Sequence, residues 1–181
     1  MKKRIIFLVP VFLFVSTQFL IAQKDHTKHQ TSTIKRAIAV VTGTKGNSLK
    51  GVVTFEEVDK GVHIIANLTG LTPGKHGFHI HEFGDINSDD GSSAGGHFNP
   101  MKMPHSMPSS DKRHAGDMGN IVADEHGIAH LDYIDPVMKL NGEYSIIGHS
   151  IIIHEKEDDF KTQPTGNAGA RIGYGVIGIA K

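Results

Sequence analysis

The chain has 181 residues and contains no cysteine, so it can form no disulfide and can carry no lipid-modified cysteine. It also lacks an excess of charge of one sign, because Lys and Arg together total 19 and Asp and Glu together total 19. Such a balance gives no reason to expect nucleic acid or a membrane surface as a partner. Sustained helical periodicity is absent as well, which argues against a helical fold.

The longest apolar run of the sequence lies at its N-terminus. Basic residues at 2–4 precede a largely apolar stretch over 5–21, and Ala22 before Gln23 is a small residue typical of cleavage sites. We therefore predict a signal peptide over 1–22, export to the periplasm or the extracellular space, and no stable membrane partner after cleavage. A retained membrane anchor stays open as the alternative, because the run is nearly long enough to span a bilayer.

After a polar linker over 23–34, the pattern changes to short β-rich runs separated by glycine-containing breaks. In the third run, Val62, Ile64 and Ala66 recur with the period of two that a half-buried strand requires. Several short strands at this spacing predict one all-β domain over 35–181, an eight-stranded antiparallel β-sandwich or barrel. The predicted strands cover residues 35–42, 50–57, 60–68, 76–83, 118–124, 127–134, 149–154 and 174–180.

Two segments interrupt this rhythm, residues 84–117 and 155–171, which are rich in Gly, Asp, Ser, Pro and Asn. Long irregular loops in a compact domain are usually functional or disordered. These two segments contain most of the candidate site residues, so we predict that both loops are functional.

Histidine is abundant, with 13 residues. His79 and His81 are two apart in a strand-like stretch, so both imidazoles leave one face while Phe78 and Ile80 face the core. Two neighbouring imidazoles can bind one metal ion, although two surface histidines would give the same pattern. His154 ends an apolar strand, which would hold its side chain rigidly.

The first long loop supplies three more histidines and an aspartate, namely His97, His105, His114 and Asp117. This set has the composition of a tetrahedral zinc site, since Zn²⁺ accepts imidazole nitrogen and carboxylate oxygen, while a solvated loop is the alternative. The acidic run over 155–159 would supply a carboxylate that accepts N–H bonds from metal-bound imidazoles, with an ordinary acidic loop as the alternative. Bound metal would also stabilise a fold that has no disulfide.

Five stretches of the sequence together resemble the copper,zinc superoxide dismutases, and the similarity extends over about residues 35–181. The stretches are GFHIHEFGD (77–85), SAGGHFNP (93–100), RHAGDMGN (113–120), IGHSIIIHEKEDD (147–159) and TGNAGARIGYGVIGIA (165–180). The resemblance implies an antiparallel Greek-key β-sandwich, copper and zinc as cofactors, and conversion of superoxide anion to dioxygen and hydrogen peroxide.

The same resemblance implies a role for each motif residue. Copper would be bound by His79, His81, His97 and His154, and zinc by His97, His105, His114 and Asp117. His97 would bridge the two ions as an imidazolate and would take up a proton when copper is reduced. Asp158 would link a copper histidine to a zinc histidine, and Arg171 would attract superoxide at the mouth of the copper channel.

The sequence departs from the family pattern in two respects. Gly91 and Tyr174 occupy the positions of the disulfide that normally ties the first loop to the last strand. Without that disulfide, we expect loop rigidity to depend more strongly on zinc. The second loop is also shorter than in the animal enzymes and lacks charged residues that would steer the substrate, which predicts a slower and less salt-sensitive enzyme. The resemblance further allows a homodimer, since the positions that match the animal dimer contact carry Phe83, Gly84, Ile147, Val176 and Ile179.

Two other functions stay open at this point. An exported copper or zinc buffer would use the same ligands without turnover, although storage needs neither Arg171, nor Asp158, nor a shared His97. A structural sandwich would keep the motifs for stability alone. Because those three residues serve turnover rather than storage, we predict the enzyme.

Overall fold

The computed structural model describes residues 33–181, which form a closed barrel of eight antiparallel β-strands. The predicted signal peptide over 1–22 and nearly all of the linker over 23–34 lie outside the described residues. The strands are β1 (Arg36–Gly43), β2 (Lys50–Val58), β3 (Gly61–Thr69), β4 (Gly74–His81), β5 (Asp117–Ala123), β6 (Ile128–Asp135), β7 (Ser150–His154) and β8 (Arg171–Ile179). The described residues contain one short 3₁₀ turn, Ser92–Ala94, and no helix that is long and apolar enough to cross a membrane.

Around the barrel the strands follow the order β1-β2-β3-β6-β5-β4-β7-β8, and β8 pairs with β1 to close it. The chain passes from β3 to β4 and from β6 to β7 without pairing these strands, which is the pattern of Greek-key connections. The predicted eight-stranded antiparallel Greek-key fold is confirmed.

The core follows from the alternation along each strand. On β3, Val62, Ile64 and Ala66 are buried, and on the neighbouring β2 so are Val53 and Phe55. Successive side chains on a strand point to opposite faces, so these residues line the interior while the residues between them face outward. Burying a large apolar side chain stabilises the fold by roughly 1.5–3 kcal/mol, and the barrel therefore forms a rigid support for the loops.

All eight predicted strands are present, and their ends differ only slightly from the predicted ones. The largest difference is at β8, which begins at Arg171 rather than at residue 174. Its early residues pair with the end of β7, Gly173 with Ile153 and Arg171 with His154. Arg171 therefore lies at the start of a strand and not in the preceding loop.

Candidate metal centre

Adjacent strands bring the candidate ligands together. His79 and His81 lie at the end of β4, which is flanked by β5 and β7. Asp117 begins β5 and pairs directly with His79, while His154 ends β7. The strand order β5-β4-β7 therefore places Asp117 and His154 on either side of the two β4 histidines.

His97 lies in the first long loop, yet its backbone is held as in a strand. It forms an isolated antiparallel bridge with His81, and Phe98 N–H donates to Ile80 O at 2.8 Å. Gly116 bonds to both segments, since its N–H donates to Phe98 O at 2.9 Å and its carbonyl accepts from Ile80 N–H at 3.0 Å, and any Cβ atom there would collide with the carbonyl oxygen of Ile80. The close approach of three backbone segments thus carries His97 to the end of β4.

Two groups of four buried side chains have the composition and spacing of metal sites. Within each group, the candidate ligand atoms all lie within 4.8 Å of one another. The four-histidine group consists of His79, His81, His97 and His154, and the aspartate group consists of His97, His105, His114 and Asp117. The structure thus brings together every residue that the motifs predicted as a metal ligand, and His97 belongs to both groups.

In the four-histidine group, each imidazole has one nitrogen tied to an oxygen atom. Nε2–H of His79 donates to Asp158 at 2.8 Å, and Nδ1–H of His81 donates to Gly95 O at 2.9 Å. Nδ1–H of His154 donates to a backbone carbonyl at 3.3 Å, and its Nε2 faces Nε2 of His81 at 3.4 Å. Such bonds determine which ring nitrogen stays unprotonated and available to a metal ion.

Buried nitrogen atoms without a partner indicate what this group can hold. His79 Nδ1 and His97 Nε2 are buried and have no hydrogen-bond partner. Leaving a buried polar atom unpaired is costly, so such atoms call for a bound group. Imidazole nitrogen is a good ligand for copper, and four of them in one buried cluster therefore fit a copper ion.

The aspartate group converges on one carboxylate oxygen. Asp117 Oδ1 lies 2.9 Å from Nδ1 of both His97 and His105 and 3.2 Å from Nδ1 of His114. Its Oδ2 accepts hydrogen bonds from the backbone N–H groups of Ser106 and His114, which fix the orientation of the carboxylate. Three imidazole nitrogens and one carboxylate oxygen form a donor set that fits tetrahedral zinc.

His105 contacts a carboxylate through each ring nitrogen, because its Nε2 also lies 2.9 Å from Asp158 Oδ1. Burial lowers the pKa of His105, but the hydrogen bonds to Asp117 and Asp158 outweigh burial and raise that pKa to about 9. A neutral imidazole carries one proton and can donate to only one of the two carboxylates. A metal ion bound by Nδ1 and by Asp117 would leave the single proton of His105 at Nε2, where it is donated to Asp158.

Asp158 connects the two groups. One of its oxygens accepts from His105 and the other accepts from His79. Burial would raise the pKa of the Asp158 carboxyl, but the hydrogen bonds from His105 and His79 hold it below its usual range. The carboxylate is therefore ionised and lies where the motifs predicted it, between a histidine of each group.

Two imidazoles of the four-histidine group have the protonation state that metal binding requires. Burial lowers the pKa of His97 to about 4, although the hydrogen bond to Asp117 opposes this effect. Burial and, to a smaller extent, the neighbouring His79 lower the pKa of His154 to about 3. These two imidazoles are consequently neutral at neutral pH, as ligands must be.

Arg171 is fixed beside the four-histidine group. It pairs with His154 across β7 and β8, and its guanidinium donates to Gly91 O and Gly95 O, both at 2.6 Å. Gly95 O also accepts from His81 Nδ1, so the guanidinium and that imidazole share an acceptor. An open cleft of about 280 Å³ is lined by Arg171, Asp90, Ser92, Gly169 and Ala170. A fixed positive group at such a cleft would attract a small anion.

The two positions that correspond to the missing disulfide are neighbours in space. A Cβ atom on Gly91 would lie 3.4 Å from Cδ1 of Tyr174. The loop is held there by the guanidinium of Arg171 and by Lys45, whose N–H donates to Asp89 O at 2.9 Å and whose Nζ pairs with the Asp89 carboxylate. Non-covalent contacts thus replace the covalent link.

Three supporting residues were not predicted from the sequence. Arg113 is buried, pairs with Asp135 at 2.7 Å, and donates to backbone carbonyls of the residues that follow it in the first loop. Asn120 exchanges two hydrogen bonds with the backbone of Asp158, at 2.7 and 3.0 Å. Arg113 and Asn120 lie within the RHAGDMGN motif, which is a usable signal, whereas nothing around Asp135 marks it in the sequence.

Comparisons with known proteins agree with this geometry. A family model described as copper/zinc superoxide dismutase (SODC) matches residues 49–177. Superoxide dismutase (Cu-Zn) A of Xenopus laevis is 46% identical over 151 residues, covering 80% of this chain and 97% of that protein. Superoxide dismutase (Cu-Zn) 2 of Mesembryanthemum crystallinum is 42% identical over 151 residues, covering 80% of this chain and 95% of that protein.

A solved structure gives the same result in three dimensions. The crystal structure of the clock protein EA4 matches with a TM-score of 0.77 at 43% sequence identity, covering 84% of this chain and 99% of that chain. A family match over most of the chain, relatives above 40% identity and the two buried ligand groups lead to one conclusion. The chain belongs to the copper/zinc superoxide dismutase family, as an oxidoreductase whose cofactors are copper and zinc.

Proposed function

We propose that this chain converts two superoxide anions and two protons to dioxygen and hydrogen peroxide at copper held by the four-histidine group, with zinc held by the aspartate group. The observation that carries the proposal is the membership of His97 in both groups. Its Nδ1 lies 2.9 Å from Asp117, while its buried Nε2 is free. One imidazole would therefore present its two nitrogens to two different ions, as an imidazolate bridge.

Copper, when bound, supplies the one-electron oxidation and reduction that the two anions require, whereas zinc has no redox chemistry. The chain itself supplies proton transfer and substrate position. We assign to His97 Nε2 one of the two protons that peroxide takes up, the second coming from solvent.

Arg171 and Asp158 serve this chemistry in different ways. The guanidinium of Arg171 is fixed by two backbone carbonyls and attracts the anion to the cleft. Asp158 accepts a hydrogen bond from His79 and another from His105, which fixes one imidazole in each group. Partners of this kind typically contribute ten- to a hundredfold to metal affinity or activity.

Electron paramagnetic resonance tests the shared ring directly. We expect the copper signal of the full chain loaded with copper and cobalt to be much weaker than that of the copper and zinc form, because the copper spin couples to the cobalt spin through His97. The variant His97→Ala should bind less metal, and any copper that it retains should give an uncoupled signal. An undiminished copper signal in the wild-type copper and cobalt form would contradict the bridge.

Turnover is tested on the same preparation in a cytochrome c competition assay. The copper and zinc form should consume superoxide, and His81→Ala should abolish this while leaving zinc bound, since His81 belongs to the four-histidine group alone. A chain that binds both ions without consuming superoxide is a metal buffer, and the proposed function is then wrong.

We also propose that the protein is exported. The support is the sequence over 1–22, with its basic start, its apolar run and the small residue Ala22. Protein recovered from the periplasm or the medium should begin at Gln23, which intact-mass spectrometry determines. Full-length chain in the membrane fraction would favour the retained anchor. The prediction that the protein has no stable membrane partner would then be wrong.

Association into a homodimer stays a prediction. Phe83, Val176 and Ile179, which match the dimer contact of the animal enzymes, are 51%, 37% and 66% exposed. Exposed apolar side chains that form one patch are typical of interaction surfaces, whereas single ones are normal on any protein. The proposed chemistry does not depend on this association, because both ligand groups are complete within one chain.

A further inference from the structure

The loop between β7 and β8 contacts His105 at two separate points. Asp158 accepts a hydrogen bond from the imidazole, as described above. Five residues further along, the side-chain amide of Gln163 pairs with the backbone of the same residue. The ring and the backbone of one candidate zinc ligand are therefore held by the same loop.

The amide of Gln163 binds both polar groups of the His105 backbone. His105 N–H donates to Oε1 at 2.8 Å, and Nε2–H of Gln163 donates to His105 O at 2.8 Å. No other partner for these two backbone groups occurs among residues 33–181. A paired donor and acceptor at a single residue restrict rotation of its backbone, as pairing does in a β-bridge, and so restrict the direction of the imidazole.

Other side chains near His105 do not replace this contact. Asn99 holds Met103 in the same two-bond manner, at 2.8 and 3.0 Å, but it lies in the same loop as His105. Gln163 belongs to the other long loop, 58 residues away in sequence. In a chain without cysteine, a contact between the two loops has to be non-covalent.

We infer that Gln163 is a positioning residue for the zinc ligand His105, an inference that rests on the zinc site proposed above. It holds the backbone of His105 so that Nδ1 is directed toward Asp117 before the metal arrives. Preorganised ligands bind metal more tightly because less motion is lost on binding. Gln163 therefore slows the release of zinc without touching the ion.

The test compares Gln163→Ala with Lys161→Ala in the full chain loaded with copper and zinc. Both residues are exposed and lie in the same loop, so neither change opens the core. We expect Gln163→Ala to release zinc to a chromogenic chelator about tenfold faster than the wild type, whereas Lys161→Ala should release it at the wild-type rate. The variant Gln163→Glu keeps the acceptor for His105 N–H and loses the donor to His105 O. Its rate of zinc release should therefore lie between those of the wild type and of Gln163→Ala.

Cobalt provides a signature that a general loss of stability would not produce. With cobalt in the zinc site, the visible spectrum of Gln163→Ala should be shifted or broadened, while that of Lys161→Ala should match the wild type. Zinc release and spectra that are unchanged in Gln163→Ala overturn the role of Gln163 and leave the proposed function intact. A wild-type chain that binds neither zinc nor cobalt in a tetrahedral site overturns the proposed function itself.

Discussion

Replacing Arg171 by alanine is expected to lower the second-order rate constant for superoxide by at least about tenfold, with copper and zinc contents unchanged. The guanidinium of Arg171 lines an open cleft, and Arg171 pairs with His154 of the four-histidine group across β7 and β8. Electrostatic attraction into a confined cleft raises association rates by about 10- to 1,000-fold and weakens as salt is added. The alanine variant should therefore be slower and also less sensitive to ionic strength, as pulse radiolysis at several salt concentrations would measure.

Two further variants separate charge from shape at this position. Lysine keeps the charge but cannot donate to Gly91 O and Gly95 O in the same forked geometry, so Arg171→Lys should keep much of the salt dependence and lose part of the rate. Arg36→Ala removes an arginine from the start of β1 and should leave both quantities unchanged. If Arg171→Ala is as fast and as salt-sensitive as the wild type, anion attraction by this residue is excluded.

Replacing Asp135 by alanine is expected to lower the free energy of unfolding by about 3–5 kcal/mol. Asp135 pairs with Arg113 at 2.7 Å, and their side chains are 0% and 1% exposed. Removal of the carboxylate would leave a buried guanidinium without its counter-charge, which costs much more than the pair itself contributes. Oδ1 of Asp135 also accepts from the backbone N–H groups of Val137 and Met138, and these would lose their acceptor.

Asp132→Ala is the matched control for this change. Asp132 lies on the same strand, but its side chain is 54% exposed and pairs with His63 at the surface, so its loss should cost at most about 1 kcal/mol. Urea denaturation at a fixed metal content measures both variants, and the Asp135 variant should in addition take up zinc more weakly, because Arg113 binds the carbonyl oxygens of His114 and Asp117. Equal stabilities of the two variants would show that the buried Arg113–Asp135 pair is not required for the stability of the fold.

Much of the fold was predictable because its signals are local. A period of two in hydrophobicity marks each strand and tells which face is buried, as Val62, Ile64 and Ala66 show. Strand ends are set by pairing with neighbours instead, and pairing is not local. For this reason the sequence pattern places the start of β8 three residues too late, because that start at Arg171 depends on pairing with His154 on the neighbouring strand β7.

The residues of the site also fall into those that local sequence marks and those that only contacts between distant segments reveal. The candidate ligands were found because histidine and aspartate at these spacings, within motifs that resemble a known family, point to copper and zinc. Of the contacts that hold these ligands, the motifs imply those of Asp158, whereas the others were not predicted from the sequence. Arg113, Asp135 and Gln163 act through hydrogen bonds to residues distant in sequence or to backbone atoms, and an exposed glutamine has no distinctive pattern of its own.

The sequence by itself therefore determined the type of fold, the chemistry of the donor atoms and the family, because each depends on residue types and short-range order. Only the tertiary structure decided that the backbone of His97 forms a bridge with His81. It also decided that the side-chain amide of Gln163 pairs with the backbone of His105 and that Arg113 pairs with Asp135. These features depend on distances of about 3 Å between segments far apart in the chain, and such distances are set by barrel closure and loop packing.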